Sequence, residues 1–159
     1  MNKYELIGID PGLNSTGYGI LSINEKKMTY VASGTIITNP ECEEYIRLKE
    51  IFQGLTEIVE KFKPNQAVVE KIFVNVNAAS TLSLGQARGV AIAALARYQI
   101  QIHEISALEI KKSVVGTGRA SKRQVQFMIK ELLNLNKTPG PDAADALACA
   151  MAWNNKVFF

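Results

Sequence analysis

The stretch Leu6-Ile7-Gly8-Ile9-Asp10-Pro11-Gly12 decides the fold. An apolar run ends in an acid, and Pro11 and Gly12 then stop the strand. A β-like pattern resumes from Tyr18 to Ile23, so the segment reads as a hairpin, and a third strand fits Met28 to Thr38 before Asn39-Pro40 breaks the chain. Beyond that break, Leu48, Ile51, Phe52, Leu55, Ile58, Val59 and Phe62 form the single stripe of a long amphipathic helix, which Pro64 ends. Gln66-Ala67-Val68-Val69 is a short apolar strand leading to Glu70. A second helix runs from about Ala78 to Tyr98, and its Gly85, Gly89 and Ala93 leave a flat strip that another backbone can approach.

Ile100 to Ile105 makes a fifth strand. Ser106 is the expected N-cap of a short helix through Lys112, with a Gly-punctuated loop from Val114 to Ala120. Ser121 caps the next helix, which buries Val125, Met128, Ile129, Leu132 and Leu133. After Lys137-Thr138-Pro139-Gly140 an alanine-rich helix begins near Pro141. The order is βββαβαβααα. A three-stranded meander followed by alternating elements implies an α/β fold, a five-stranded mixed sheet flanked by helices on both faces.

The 159 residues, 47% of them hydrophobic, suffice for one domain spanning 1–159 with a real core. No stretch approaches the roughly 20 apolar residues of a membrane span, and Met1-Asn2-Lys3-Tyr4-Glu5 runs into a strand rather than a signal peptide, so a cytoplasmic protein is expected. Cys42 and Cys149 stand far apart with no Cys or His cluster, which removes support for a disulfide framework or a zinc site. The net charge of +3 permits a polyanionic partner. Its distribution says more, because from Arg97 to Lys137 eight basic residues face three acidic ones. The basic face belongs to the C-terminal half.

Asp10 closes the first strand, Glu70 closes the fourth, and Asp142 with Asp145 opens the last helix. Sites in open α/β sheets gather at the carboxyl ends of strands, and acids at i, i+3 share a helix face whose N-terminus favours negative charge. Crowded carboxylates drive one another toward protonation unless a cation compensates them, so the pattern implies metal. An all-oxygen donor set suits Mg²⁺ or Mn²⁺. Two such ions about 3.5–4 Å apart would serve phosphodiester hydrolysis. Singly, each acid is more often a turn residue or helix cap, Asp142 above all; the joint pattern carries the reading.

Further motifs join these: Thr16-Gly17-Tyr18-Gly19, Val69-Glu70-Lys71-Ile72-Phe73, Leu84-Gly85-Gln86-Ala87-Arg88-Gly89, Val114-Val115-Gly116 and Asp142-Ala143-Ala144-Asp145-Ala146-Leu147-Ala148. In order and spacing, over nearly the whole chain, they resemble the RuvC family of crossover junction endodeoxyribonucleases, in the RNase H-like superfamily. The resemblance implies an RNase H-like fold, a homodimer, Mg²⁺ dependence with two ions per subunit, and paired symmetric nicks in four-way (Holliday) junctions during recombination and repair. RuvA and RuvB are the implied partners.

The resemblance places Asp10, Glu70, Asp142 and Asp145 as metal-binding acids; some relatives carry His at the third position. It matches Phe73 to an aromatic that stacks on an unpaired base at the junction centre, where a core aromatic is the plain alternative. Asn75-Val76-Asn77 then makes a polar loop. Lys111 and Lys122 match basic residues near the scissile phosphate, Lys122 also stabilising charge in the reaction, with Arg119 and Arg123 beside it as further DNA contacts. Arg88 reads equally as an ion-pair partner or a DNA contact, and His103 as a packed or surface histidine. A C2 dimer suits a junction that is itself approximately two-fold symmetric. The Gly85/Gly89/Ala93 strip is one candidate interface, with helix-on-sheet packing as the alternative.

Two other classes compete. The Asp10 to Gly19 hairpin also opens actin-like ATPases and sugar kinases, but those need a second lobe that a chain of this length lacks. A junction-binding module without cleavage gains nothing from carboxylates facing phosphate. Within the nuclease class, another branched DNA or an RNA–DNA hybrid is the alternative substrate.

Overall fold

A computed structural model describes residues 3–73 and 76–159; Asn75, part of the polar loop expected after Phe73, lies outside the described residues. The strands are β1 (Lys3–Asp10), β2 (Ser15–Asn24), β3 (Lys27–Ile37), β4 (Gln66–Glu70) and β5 (Gln101–Ile105). The helices are α1 (Glu44–Phe62), α2 (Ala78–Ala96), α3 (Ala107–Val115), α4 (Lys122–Leu132) and α5 (Pro141–Phe158). The sheet order is β3-β2-β1-β4-β5. The first three strands form an antiparallel meander, and β1, β4 and β5 run parallel. Element order, mixed sheet and helices on both faces are as the sequence predicts.

β1 sits at the centre because its apolar run is buried on both sides, Leu6, Ile7 and Ile9 each at 0% exposure. Strand alternation sorts them. Leu6 packs with Leu21, Ile23 and Val68 against α3, α4 and α5, while Ile7 and Ile9 pack with Ile20, Ala67 and Val69 against α1 and α2. α5 approaches the sheet unusually closely. A Cβ on Gly8 would stand 2.0 Å from the Ala146 carbonyl oxygen, and one on Gly17 would stand 2.1 Å from that of Asp142. The glycines and the alanine-rich helix are therefore one feature, a side-chain-free floor under a helix of small residues, and it brings the start of α5 down onto the ends of β1 and β2.

Local chemistry fixes the helix starts. Ser106 and Ser121 each accept a hydrogen bond from the backbone N–H three residues on, and Glu109 and Gln124 reciprocate, so α3 and α4 both open with capping boxes. Several boundaries differ from the sequence reading, those of α3, β2 and α2 among them. α3 continues to Val115, because Ile110 and Val114 extend one buried stripe and the left-handed Gly116 (φ 87°) ends the helix. β2 begins at Ser15 rather than Tyr18, since Ser15, Thr16 and Gly17 already pair with Ile37, Ile36 and Thr35 of β3. α2 stops at Ala96.

α2 buries Ala87, Ala91, Ala94 and Leu95 against the sheet. Its Gly85/Gly89/Ala93 strip does not pack on the core: a Cβ on Gly85 or Gly89 would meet nothing within 4 Å. No helix among the described residues is long and apolar enough to cross a membrane.

Candidate active site

Parallel pairing of β1 with β4 puts Ile9 beside Val69, so the next residues, Asp10 and Glu70, leave the sheet side by side. Both lie on the alternation that carries Leu6 and Val68 toward α5. α5 delivers Asp145 from above, and a cleft of about 270 Å³ forms between Asp10, Glu70, Asp145, Lys111, Lys122, Ala107, Ile110 and Val125. α3 supplies Lys111, and α4 supplies Lys122 from its first turn. Lys122 Nζ stands 3.7 Å from Asp145 Oδ2.

Asp142 differs from the other three acids. It flanks the cleft rather than lining it, and its Oδ2 accepts a 2.7 Å hydrogen bond from Ser15 Oγ. The capping role considered for it is absent, because α5 is preceded by Gly140 and has no side-chain cap. Among the described residues, no three His, Cys, Asp or Glu side chains are arranged to hold a metal ion as they stand. Burial, then the charges of Asp145, Glu70 and Asp142, push Asp10 from 3.8 up to about 8, with Lys122 opposing. Glu70 is raised by burial and by Asp145, and Asp145 by burial and then Asp142, while Lys111 and Lys122 lower both. The donor set is all oxygen, with more negative charge than the two lysines balance, and it fits a hard divalent cation that would take the place of the extra proton.

The raised Asp10 has a measurable consequence. The unfolded chain ionises Asp10 near 3.8 and the folded one near 8, so between these values the folded state holds the extra proton. The contribution of Asp10 to stability is then full below 3.8 and is lost as pH rises through about 8. The thermal midpoint in EDTA is expected to fall between pH 5 and pH 8, and Asp10→Asn to remove most of that slope. A flat profile in the wild-type protein would contradict the crowding.

Phe73 is 73% exposed, so the core alternative for it is wrong. Arg119 and Arg123 are exposed beside Lys122. Arg88 resolves as an architectural residue: its Nε donates to the Glu70 carbonyl oxygen at 3.2 Å and its Nη2 meets Glu104 Oε1 at 2.6 Å, clamping the end of β4 to β5. His103 stacks on Trp153 with centroids 4.3 Å apart, and burial lowers its pKa. Cys149 is a buried thiol 3.7 Å from the Val68 carbonyl oxygen, and burial pushes its pKa well up. The sequence reading missed Ser15. An unbroken β pattern from Ser15 to Gly17 would have been the signal, but Ser-Thr-Gly carries no apolar periodicity.

This sheet, with acids at the ends of its two central parallel strands and on the covering helix, defines an RNase H-like nuclease. The sequence matches, over residues 6–153, the family model described as crossover junction endodeoxyribonuclease RuvC. The chain belongs to that family. A relative of that name from Bordetella avium is 51% identical over 146 residues, covering 92% of this chain and 81% of its own. One from Methylobacillus flagellatus is 52% identical over 153 residues, covering 93% and 85%. The structure of Thermus thermophilus RuvC in complex with a Holliday junction substrate superposes with a TM-score of 0.88 at 25% identity, over 98% of this chain and 95% of the other. A yeast mitochondrial Holliday junction resolvase shares the fold with a TM-score of 0.64 at 20% identity. The protein is thus an endodeoxyribonuclease of recombination and repair, in a family of metal-dependent nucleases.

Proposed function

We propose that the chain, as one nuclease domain over residues 1–159, resolves four-way DNA junctions by paired, symmetric, Mg²⁺-dependent hydrolysis. The observation that carries this is the cleft itself: Asp10, Glu70 and Asp145 converge with Lys111 and Lys122, in a fold that superposes on a relative solved with a Holliday junction. Asp10, Glu70, Asp142 and Asp145 hold the metal, two ions per subunit, with Mn²⁺ able to replace Mg²⁺. When bound there, such ions would supply an activated water and charge stabilisation for the leaving 3′ oxygen. Lys122 stabilises charge gathering on the scissile phosphate, and Lys111, Arg119 and Arg123 bind the DNA backbone around it.

Two sites are needed for two symmetric nicks, which a C2 homodimer supplies. The open Gly85/Gly89/Ala93 face of α2 offers a surface for that contact, since a second helix can come close where no Cβ intervenes. RuvA and RuvB are proposed to assemble with the dimer on the junction, in the cytoplasm.

Phe73, exposed three residues beyond Glu70, is the group that distinguishes a junction centre from continuous duplex, by stacking on a base left unpaired there. Phe73→Ala is expected to lower junction cleavage by about tenfold or more, since stacking on one base is worth roughly 1–3 kcal/mol. The thermal midpoint should stay within about 1 °C because little surface is lost from the core. Rates on four-way junctions and unfolding curves check this together; unchanged cleavage would remove Phe73 from substrate recognition.

A further inference from the structure

We propose that Ser15 is a positioning residue for the metal site: it fixes one oxygen of Asp142 and so sets the direction in which the other is offered. The inference rests on the reading of Asp142 as a metal ligand. Ser15 Oγ donates to Asp142 Oδ2 at 2.7 Å, joining residues 127 positions apart. The short bond to an acceptor carboxylate is of the strong, charge-assisted kind. Oδ1 lies outside this bond and is the oxygen offered toward the cleft.

The bond is not a chance meeting of two loose side chains. Ser15 is the first residue of β2, paired to Ile37 of β3, so its backbone is held by the sheet. Two residues on, the Gly17 Cα lies so close to the start of α5 that a Cβ there would meet the Asp142 carbonyl oxygen at 2.1 Å. Backbone contact therefore fixes the distance between the two residues, and the hydroxyl fixes the carboxylate. Serine suits the position because only one side-chain torsion has to be ordered. The next residue, Thr16, bonds backbone rather than an acid. Thr16, fully buried, donates to the Gly12 carbonyl oxygen at 2.8 Å and accepts from the Gly12 N–H at 3.3 Å, bracing the turn that follows Asp10. The dipeptide Ser15-Thr16 thus ties Asp142 directly and braces the turn after Asp10. Partners that orient metal-binding side chains typically govern affinity by about 10–100-fold.

The test is calorimetric titration of Mn²⁺ into DNA-free protein, which reads binding without turnover. Ser15→Val keeps a strand-compatible side chain of threonine's shape but has no hydroxyl, whereas Ser15→Thr keeps the hydroxyl. Ser15→Val is expected to weaken Mn²⁺ binding about tenfold, with the EDTA thermal midpoint near that of the wild type. Ser15→Thr should stay close to wild type. In an Asp142→Asn background Ser15→Val should add nothing, because the group it positions is gone. Unchanged affinity in Ser15→Val would overturn the role of Ser15 while leaving Asp142 a ligand, provided Asp142→Asn alone weakens binding. So would an equal loss from Ser15→Val with and without Asp142, or a lowered EDTA midpoint with intact affinity. If Asp142→Asn itself binds Mn²⁺ as wild type does, the ligand assignment fails and this inference falls with it. Ser15→Ala makes the same comparison should the valine variant fold poorly.

Discussion

Asp10→Asn is expected to cut junction cleavage by about 10³-fold or more, a barrier increase of roughly 4 kcal/mol, while leaving junction affinity within a few-fold of wild type. Asp10 lies at the centre of the charge crowding, raised to about 8 by burial and by three neighbouring acids. Asparagine preserves its shape and removes the charge that attracts the cation. It takes away no phosphate contact, since an acid repels a polyanion, so binding should hold steady or tighten slightly. Nicking rates beside gel-shift affinities check both halves. A variant that neither binds nor folds would show instead that Asp10 is structural.

Gly8→Ala carries the largest expected effect on stability. The added methyl would stand 2.0 Å from the Ala146 carbonyl oxygen and 3.0 Å from the Ala150 nitrogen, and both are backbone atoms of a helix that cannot turn aside. α5 must lift from the sheet, at about 3 kcal/mol or more, a large part of the roughly 5–15 kcal/mol that holds a domain folded. Asp142 and Asp145 ride on that helix, so cleavage should fail in whatever fraction remains folded. Denaturant unfolding checks this. A Gly8→Ala protein as stable as wild type would mean that α5 sits farther from β1 than described.

These two residues show where the sequence speaks and where it is silent. Asp10 is legible because a strand buried on both faces leaves an unbroken apolar run, and an acid closing such a run stands out. The capped helices are legible for a similar reason, since Ser106 with Glu109 and Ser121 with Gln124 write their boxes within four residues. Gly8 and Gly17 look like ordinary glycines until α5 is laid across them. Nothing local says that residues 142 to 150 will press on that floor. The end of α3 was misplaced because Val114 and Val115 precede a glycine, and a run broken by Gly resembles a loop although Gly116 is the helix terminator.

At the site, the identities of the acids follow from their places at strand ends and on one helix face, but their arrangement does not. That Asp142 turns aside to Ser15, and that Arg88 grips the Glu70 carbonyl, depends on contacts between residues far apart in sequence. Phe73 was ambiguous for the opposite reason. An aromatic after a strand suits a core as well as a surface, and only its exposure separates the two.

The central claim is metal-dependent, junction-selective cleavage, and it is tested most directly by nicking of a synthetic mobile four-way junction beside linear duplex and an RNA–DNA hybrid, in Mg²⁺ and in EDTA. The account predicts paired nicks at symmetric positions in opposed strands of the junction, in Mg²⁺ only. Cleavage of the hybrid or the linear duplex in preference to the junction, or cleavage that persists in EDTA, would contradict it.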